Sequence, residues 1–193
     1  MPSYSLWIIP DEPDRTIARK LIDSLAAQYS SLPFPPHVTL ASIPDTALPL
    51  EAVAARAEAL ARAPDTTALP LLYTEAEAGT DSATPALWRY RCVYARVRHS
   101  ANSPCGLSAL RARALEALGA AEEPGGYMPH LSLLYSDMVA ADRARVAESL
   151  QEIITREVFG SRFSTLQLWD TSGTEAQWRL VREWELAPFE GGE

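Results

Sequence analysis

Apolar positions along the chain recur with two periods, and the switches between them mark strands and helices. Tyr4 to Ile9 is a run of aromatic and β-branched residues stopped by Pro10, which predicts a short strand. Asp11 then reads as a helix N-cap with Pro13 in the first turn, and Ile17, Leu21 and Leu25 return at helical spacing. Pro33, Pro35 and Pro36 end that helix and force an extended approach to His37-Val38-Thr39-Leu40. A second helix is predicted from about Leu50 to Arg62, with Val53, Ala57 and Leu60 inward. Strands follow over Ala68 to Glu77 and Trp88 to Arg98, joined by a small-residue loop from Ala78 to Pro85. The helix after Pro104 carries Leu107, Leu110, Ala114 and Leu118 and closes near Gly119. Beyond the turn Glu122 to Gly126 come a strand, Tyr127 to Tyr135, and a helix, Val139 to Val158, with Val146, Leu150, Ile153 and Ile154 in one stripe. Ser161 to Asp170 and Gln177 to Leu186 finish as a hairpin across Thr171 to Ala176.

Started at the Trp88 strand, the second half repeats the order of the first, both reading β-α-β-α-β-β. That alternation with terminal hairpins predicts an α+β protein: two pseudo-symmetric antiparallel-sheet-plus-helix lobes around a central cleft. The 193 residues, 47% of them apolar, suffice for one core. With no long linker or low-complexity stretch between the halves, residues 1–193 read as a single bilobal domain with pseudo-repeats at about 1–87 and 88–193.

The repeat also carries the chemistry. Phe34-Pro35-Pro36-His37-Val38-Thr39-Leu40 and Tyr127-Met128-Pro129-His130-Leu131-Ser132-Leu133 both read aromatic-x-Pro-His-aliphatic-hydroxyl-Leu, 93 residues apart. Of the three histidines in the chain, two occupy equivalent positions in these segments. Side chains alternate along a strand, so His37 shares a face with Thr39, and His130 with Ser132. A pseudo-twofold axis between the lobes would bring the two pairs into one cleft. Two imidazoles across a cleft suit displacement at phosphorus: one takes a proton from water while the other gives one to the departing oxygen. The hydroxyls would donate hydrogen bonds to the non-bridging oxygens. Either histidine alone would read as an ordinary strand-end residue; the duplication gives the signal its weight.

Charge narrows the partners. Seventeen basic against 25 acidic side chains leave a net charge of −8, which argues against a long nucleic acid but not against a small phosphorylated ligand. No leader and no membrane span are read, so a soluble intracellular protein, cytoplasmic and monomeric, is expected. Cys92 and Cys105 are too few for a disulfide framework and are expected as free thiols, with a single redox-sensitive bridge between them as the alternative. No His-x-x-x-His, Cys-x-x-Cys or carboxylate cluster accompanies the motifs, so neither metal nor cofactor is expected. A Gly-x-Ser-x-Gly elbow is missing too, and His99 reads as surface.

The paired segments resemble the signature of the 2H phosphoesterase superfamily. Tyr4 to Pro10, Pro36 to Thr39 and Tyr127 to Tyr135 look like the plant and fungal cyclic phosphodiesterases. The resemblance implies the bilobal fold and metal-free hydrolysis of 2′,3′-cyclic nucleotides to nucleoside 2′-phosphates. It extends to the ADP-ribose 1″,2″-cyclic phosphate left by tRNA splicing. It also implies a site of His37, Thr39, His130 and Ser132. His130 is taken as the base for water and His37 as the acid for the leaving group, an assignment that the pseudo-symmetry leaves reversible. The resemblance puts Tyr135 near phosphate, whereas strict alternation from His130 sends it to the other face unless a twist or bulge intervenes. Trp7, Phe34 and Tyr127 are candidates to flank a base, or else core. Ala41 to Cys105 has no counterpart to place a nucleoside wall. Two rivals stand beside this reading: an RNA-end-processing phosphodiesterase acting on oligonucleotides, and a nucleotide-binding module without turnover.

Overall fold

The computed structural model describes residues 2–44, 46–79, 92–98, 106–122, 126–156 and 161–188. In chain order the elements are β1 (Tyr4–Pro10), α1 (Asp14–Gln28), β2 (Val38–Ile43), α2 (Leu50–Ala61), β3 (Leu69–Ala78), β4 (Val93–Arg98), α3 (Leu107–Leu118), β5 (His130–Leu134), α4 (Ala140–Arg156), β6 (Ser161–Asp170) and β7 (Arg179–Glu185). The neighbouring strands pair antiparallel in the order β1-β2-β5-β4-β3-β6-β7. Because β6 also pairs with β1, the first six strands form a closed circuit, and β7 lies outside on β6.

The circuit has a twofold pattern. Exchanging β1 with β4, β2 with β5 and β3 with β6 turns every pairing within it into another that exists. The axis of this pattern passes between β2 and β5 on one side and between β3 and β6 on the other. The halves interleave: β6 of the second half pairs with β1, and β3 of the first half pairs with β4. Helices cover the outside, α1 against β1 and β5, α3 against β2 and α2, and α4 against β3 and β4. Val38, Leu40, Leu131, Leu133, Phe163 and Leu166 are among the fully buried residues between these layers. Burial of each such side chain contributes about 1.5–3 kcal/mol.

Several expectations shift. A strand at the join of the two repeats can belong to only one of them, so the described first unit is β-α-β-α-β, without the sixth element. Asp11 does not cap α1; Pro13 stands at that position. The Asp11 carboxylate instead accepts hydrogen bonds from the backbone and hydroxyl of Ser164 (3.0 and 2.6 Å) and from Arg162 (2.9 Å), tying the end of β1 to β6. These donors hold its carboxyl below the usual range against the opposing effect of burial. The buried stripe of α1 is Ala18, Ile22, Leu25 and Ala26, one residue round from the predicted Ile17 and Leu21, which are partly buried. Cys92 is a buried free thiol, pushed up to about 11 mainly by that burial. Cys105, His99, most of the Ala78–Pro85 loop and the start of the Trp88 strand lie outside the described residues. Among the described residues no helix is long and apolar enough to cross a membrane.

Helix α3 stops at Gly119, whose φ of +66° lies in the left-handed region, and the helix end is closed there by its backbone N–H. A Cβ would meet only Arg56 at 3.8 Å, so conformation, not crowding, is at stake. Gly119→Ala should lower the unfolding free energy by about 1–2 kcal/mol, measured by urea denaturation. A change under a few tenths would show that the cap is not strained by a side chain.

Candidate active site

The cleft centres on the one register pair between β2 and β5, Val38 with Leu131. In an antiparallel pair this register sets His37 across from Ser132 and Thr39 across from His130. Both strands then bulge. On the β1 side the register passes from Trp7↔Thr39 to Leu6↔Ala41, leaving Leu40 as an extra residue in β2. On the β4 side it passes from Tyr94↔Ser132 to Val93↔Leu134, leaving Leu133 as the extra residue in β5. Leu40 and Leu133 are themselves 93 positions apart. An extra residue reverses the facing beyond it, so Ser42 and Tyr135 return to the side of the histidines. The conflict over Tyr135 is thereby resolved in favour of the cavity.

His37, Thr39, His130 and Ser132 all line one cavity of about 250 Å³. Trp7, Tyr127 and Tyr135 share it, together with Ser5, Ser42, Arg111, Met128, Thr171 and Trp178. The histidines are held alike. His37 Nδ1 lies 2.6 Å from the Pro35 carbonyl and His130 Nδ1 lies 2.9 Å from the Met128 carbonyl. A carbonyl only accepts, so Nδ1 carries the hydrogen in both rings and proton chemistry falls to Nε2. Each ring is also backed by an aromatic from the neighbouring strand. Trp7 stacks on His37 at 3.6 Å between centroids, and Tyr94 leans on His130 at 5.0 Å. Trp7 pairs with Thr39 as Tyr94 pairs with Ser132, so these two aromatics are also equivalents. Trp7 is fixed by a 2.7 Å hydrogen bond from its indole N–H to Ser5 Oγ. Tyr94 is fixed by donating to Glu77 at 2.8 Å, and Glu77 is paired with Arg96.

The three aromatic candidates are placed differently. Phe34 does not line the cavity: it is buried, stacked on Tyr135 at 3.8 Å, and packs with Ile22. Trp7 is not an open stacking platform, being 1% exposed with His37 and Trp169 against its ring system. Tyr127 reaches the cavity, but its hydroxyl donates to the Thr39 carbonyl at 3.0 Å and its ring lies 4.2 Å below the Arg111 guanidinium. Arg111, Ser42, Trp178 and Tyr94 were not singled out by the sequence reading. The signals were faint: Arg111 interrupts the apolar face Leu107, Leu110, Ala114 and Leu118, and Ser42 stands 93 positions before Tyr135. Trp178 ends the β6–β7 connection, just before β7, where the sequence reads a strand that already begins at Gln177. Among the described residues, no group of three or more His, Cys, Asp or Glu side chains could hold a metal ion.

A family model described as the 2′-5′ RNA ligase superfamily matches residues 9–175. Among solved structures, a phosphoesterase aligns over 96% of this chain and 98% of its own, at 16% identity and a TM-score of 0.54. E. coli LigT complexed with 3′-AMP aligns over the same shares at 16% identity and a TM-score of 0.51. The LigT complex with NADP+ gives the same identity, coverage and score. At such identity the likeness is one of fold. No curated protein sequence matches the chain.

The two imidazoles differ in burial. His37 is 4% exposed, and desolvation pushes its pKa down to about 3, aided by the nearby His130 and opposed by the Pro35 carbonyl. His130 is only half-buried. A histidine whose folded pKa lies below its unfolded value of about 6.5 adds stability above that value and loses it as pH falls toward the folded pKa. Unfolding free energy should therefore decline from about pH 6.5 downward. The decline should be shallower in His37→Gln between about pH 6.5 and 4.5, before the carboxylates titrate. Parallel pH curves for the two proteins would contradict a neutral buried His37.

Proposed function

The chain belongs to the 2′-5′ RNA ligase superfamily, and from that membership we propose that it hydrolyses 2′,3′-cyclic nucleotides to nucleoside 2′-phosphates by two-histidine acid–base catalysis. The observation that carries this reading is the duplicated unit of Nδ1-anchored imidazole and hydroxyl, both copies opening on one 250 Å³ cavity. That volume lies just below the usual span of small-molecule sites, about 300–1,000 Å³, and favours a compact nucleotide. ADP-ribose 1″,2″-cyclic phosphate presents the same strained ring to the same groups and is proposed as a second substrate.

Water attacks phosphorus and its proton passes to one Nε2. The bond to the 3′ oxygen breaks, and that oxygen takes a proton from the other imidazole. The phosphate remains on the 2′ oxygen. Thr39 and Ser132 hydroxyls donate to the non-bridging oxygens, where negative charge grows in the transition state. The sequence reading gave the base to His130. The burial that keeps His37 neutral favours the reverse, with His37 accepting from water and the more exposed His130 donating to the leaving oxygen.

An oligonucleotide substrate is the second reading. It is favoured by a neighbouring 560 Å³ groove beside Pro35 and Pro36 that holds Arg15, Arg19, Lys20 and Trp169, although Glu12 and Glu183 also face it. Incubation with adenosine 2′,3′-cyclic phosphate or an RNA ending in that group, with chromatography of products, separates the readings. Fast conversion of the mononucleotide to the 2′-phosphate is expected, insensitive to prolonged EDTA. Turnover of RNA alone would favour the second reading, and binding without turnover would leave a nucleotide-binding module.

Alanine at His37 or His130 should cut kcat roughly 10²–10⁴-fold without unfolding the protein. The bell-shaped pH profile of kcat/KM should lose its acidic limb in His37→Ala and its alkaline limb in His130→Ala. The opposite pattern would restore His130 as the base. Thr39→Val should lower kcat by an amount equivalent to about 2–4 kcal/mol with little change in KM. A rise in KM at constant kcat would make Thr39 a uniform binding group instead.

A further inference from the structure

Arg111 takes no part in the proposed proton transfers, yet its position is unusual. It sits on the apolar face of α3, its side chain is 3% exposed, and it lines the wall of the catalytic cavity. One guanidinium nitrogen donates to the carbonyl of Leu40, the residue inserted by the β2 bulge. A second donates to Glu122 at 3.0 Å, and the plane rests 4.2 Å from the Tyr127 ring. Tyr127 in turn donates its hydroxyl to the carbonyl of Thr39 at 3.0 Å.

These contacts answer a need created by the cleft. After Val38, β2 has no further register pair with β5. The bulge also takes Leu40 out of the ladder with β1. Buried carbonyls without a partner are costly, and a bulge whose carbonyls are unsatisfied can relax into another register. From the structure we infer that Arg111 and Tyr127 form a clamp on the Thr39–Leu40 bulge that aims the Thr39 hydroxyl at the phosphoryl position. Arg111 is thus a positioning residue for catalysis. The planar fork of arginine is what allows one side chain to hold Leu40 and Glu122 while stacking on Tyr127. Through these bonds, residues of the second half set the position of a site residue in the first.

The kinetic part of this inference rests on the proposed role of Thr39. Arg111→Lys keeps the charge but loses the fork, and Tyr127→Phe removes only the donor to the Thr39 carbonyl. With adenosine 2′,3′-cyclic phosphate, Arg111→Lys should lower kcat by about 10–10²-fold, the scale of a misplaced reacting group, while KM stays nearly constant. Tyr127→Phe should act in the same direction to a smaller extent. In a Thr39→Val background neither change should cost much more, because the group being aimed is already gone. Equal losses in both backgrounds, or wild-type kcat in both variants, would overturn the clamp. Resonances of the Thr39 amide and methyl provide a readout that needs no turnover. Both variants should shift or broaden them and leave Ser132 unaffected. Unmoved Thr39 signals would overturn the clamp even if the proposed reaction were absent, whereas an inactive wild type with shifted signals would overturn only the reaction. If Arg111→Lys fails to fold, Tyr127→Phe decides by both measurements.

Discussion

Strands β2 and β5 pair through one register position, Val38 with Leu131, and the cavity follows from that short ladder. A longer ladder would close the space between the strands; no contact would leave each histidine on its own sheet. With one pair, each imidazole stands one residue before the contact and lies across from the other strand's hydroxyl residue. Both Val38 and Leu131 are fully buried, so apolar packing holds the junction while the polar neighbours face the opening. The bulges at Leu40 and Leu133 then turn Ser42 and Tyr135 back toward the cavity.

The junction is stable because it is shared by both halves. β6 completes the sheet begun by β1, and β3 completes the one begun by β4, so neither half can swing away without breaking a strand pair. Asp11 adds a polar tie between β1 and β6, and Arg111 with Tyr127 links α3 and the approach to β5 to the β2 bulge. Pseudo-symmetry extends to the anchors and aromatics behind the two rings but not to their burial. His37 is buried, stacked on Trp7 and met edge-on by Phe34, whereas His130 leans on Tyr94 and remains half-buried. One imidazole is thereby held neutral while its counterpart sits in a wetter setting, the difference that paired acid and base roles require.

The elements and the histidine–hydroxyl pairs were legible because they depend on local pattern: proline before an extended run, apolar periodicity, and a motif repeated at fixed offset. The bulges were not legible, since a one-residue insertion into a ladder is a relation between two strands. That is why Tyr135 read as a conflict. Phe34 and Trp7 were left open between base-flanking and core for a related reason. An aromatic beside a histidine has the same sequence whether it flanks a ligand or packs behind the ring, and only the third dimension separates them. Arg111 was hidden by its helix, where a lone arginine among Leu107, Leu110, Ala114 and Leu118 carries no sign of a strand carbonyl 71 positions away. The strand order was likewise set by long-range pairing.

The central claim is that both imidazoles, held with Nδ1 protonated, act on one phosphoryl group. Long-range ¹H–¹⁵N spectra of the histidine rings, recorded during titration with adenosine 2′-phosphate, test it most directly. The account predicts that His37 and His130 are both Nδ1–H tautomers in the neutral state. It further predicts that both Nε2 signals move together and saturate at one equivalent of ligand. An Nε2–H tautomer in either ring, or a ligand that perturbs one histidine and leaves the other unchanged, would contradict it.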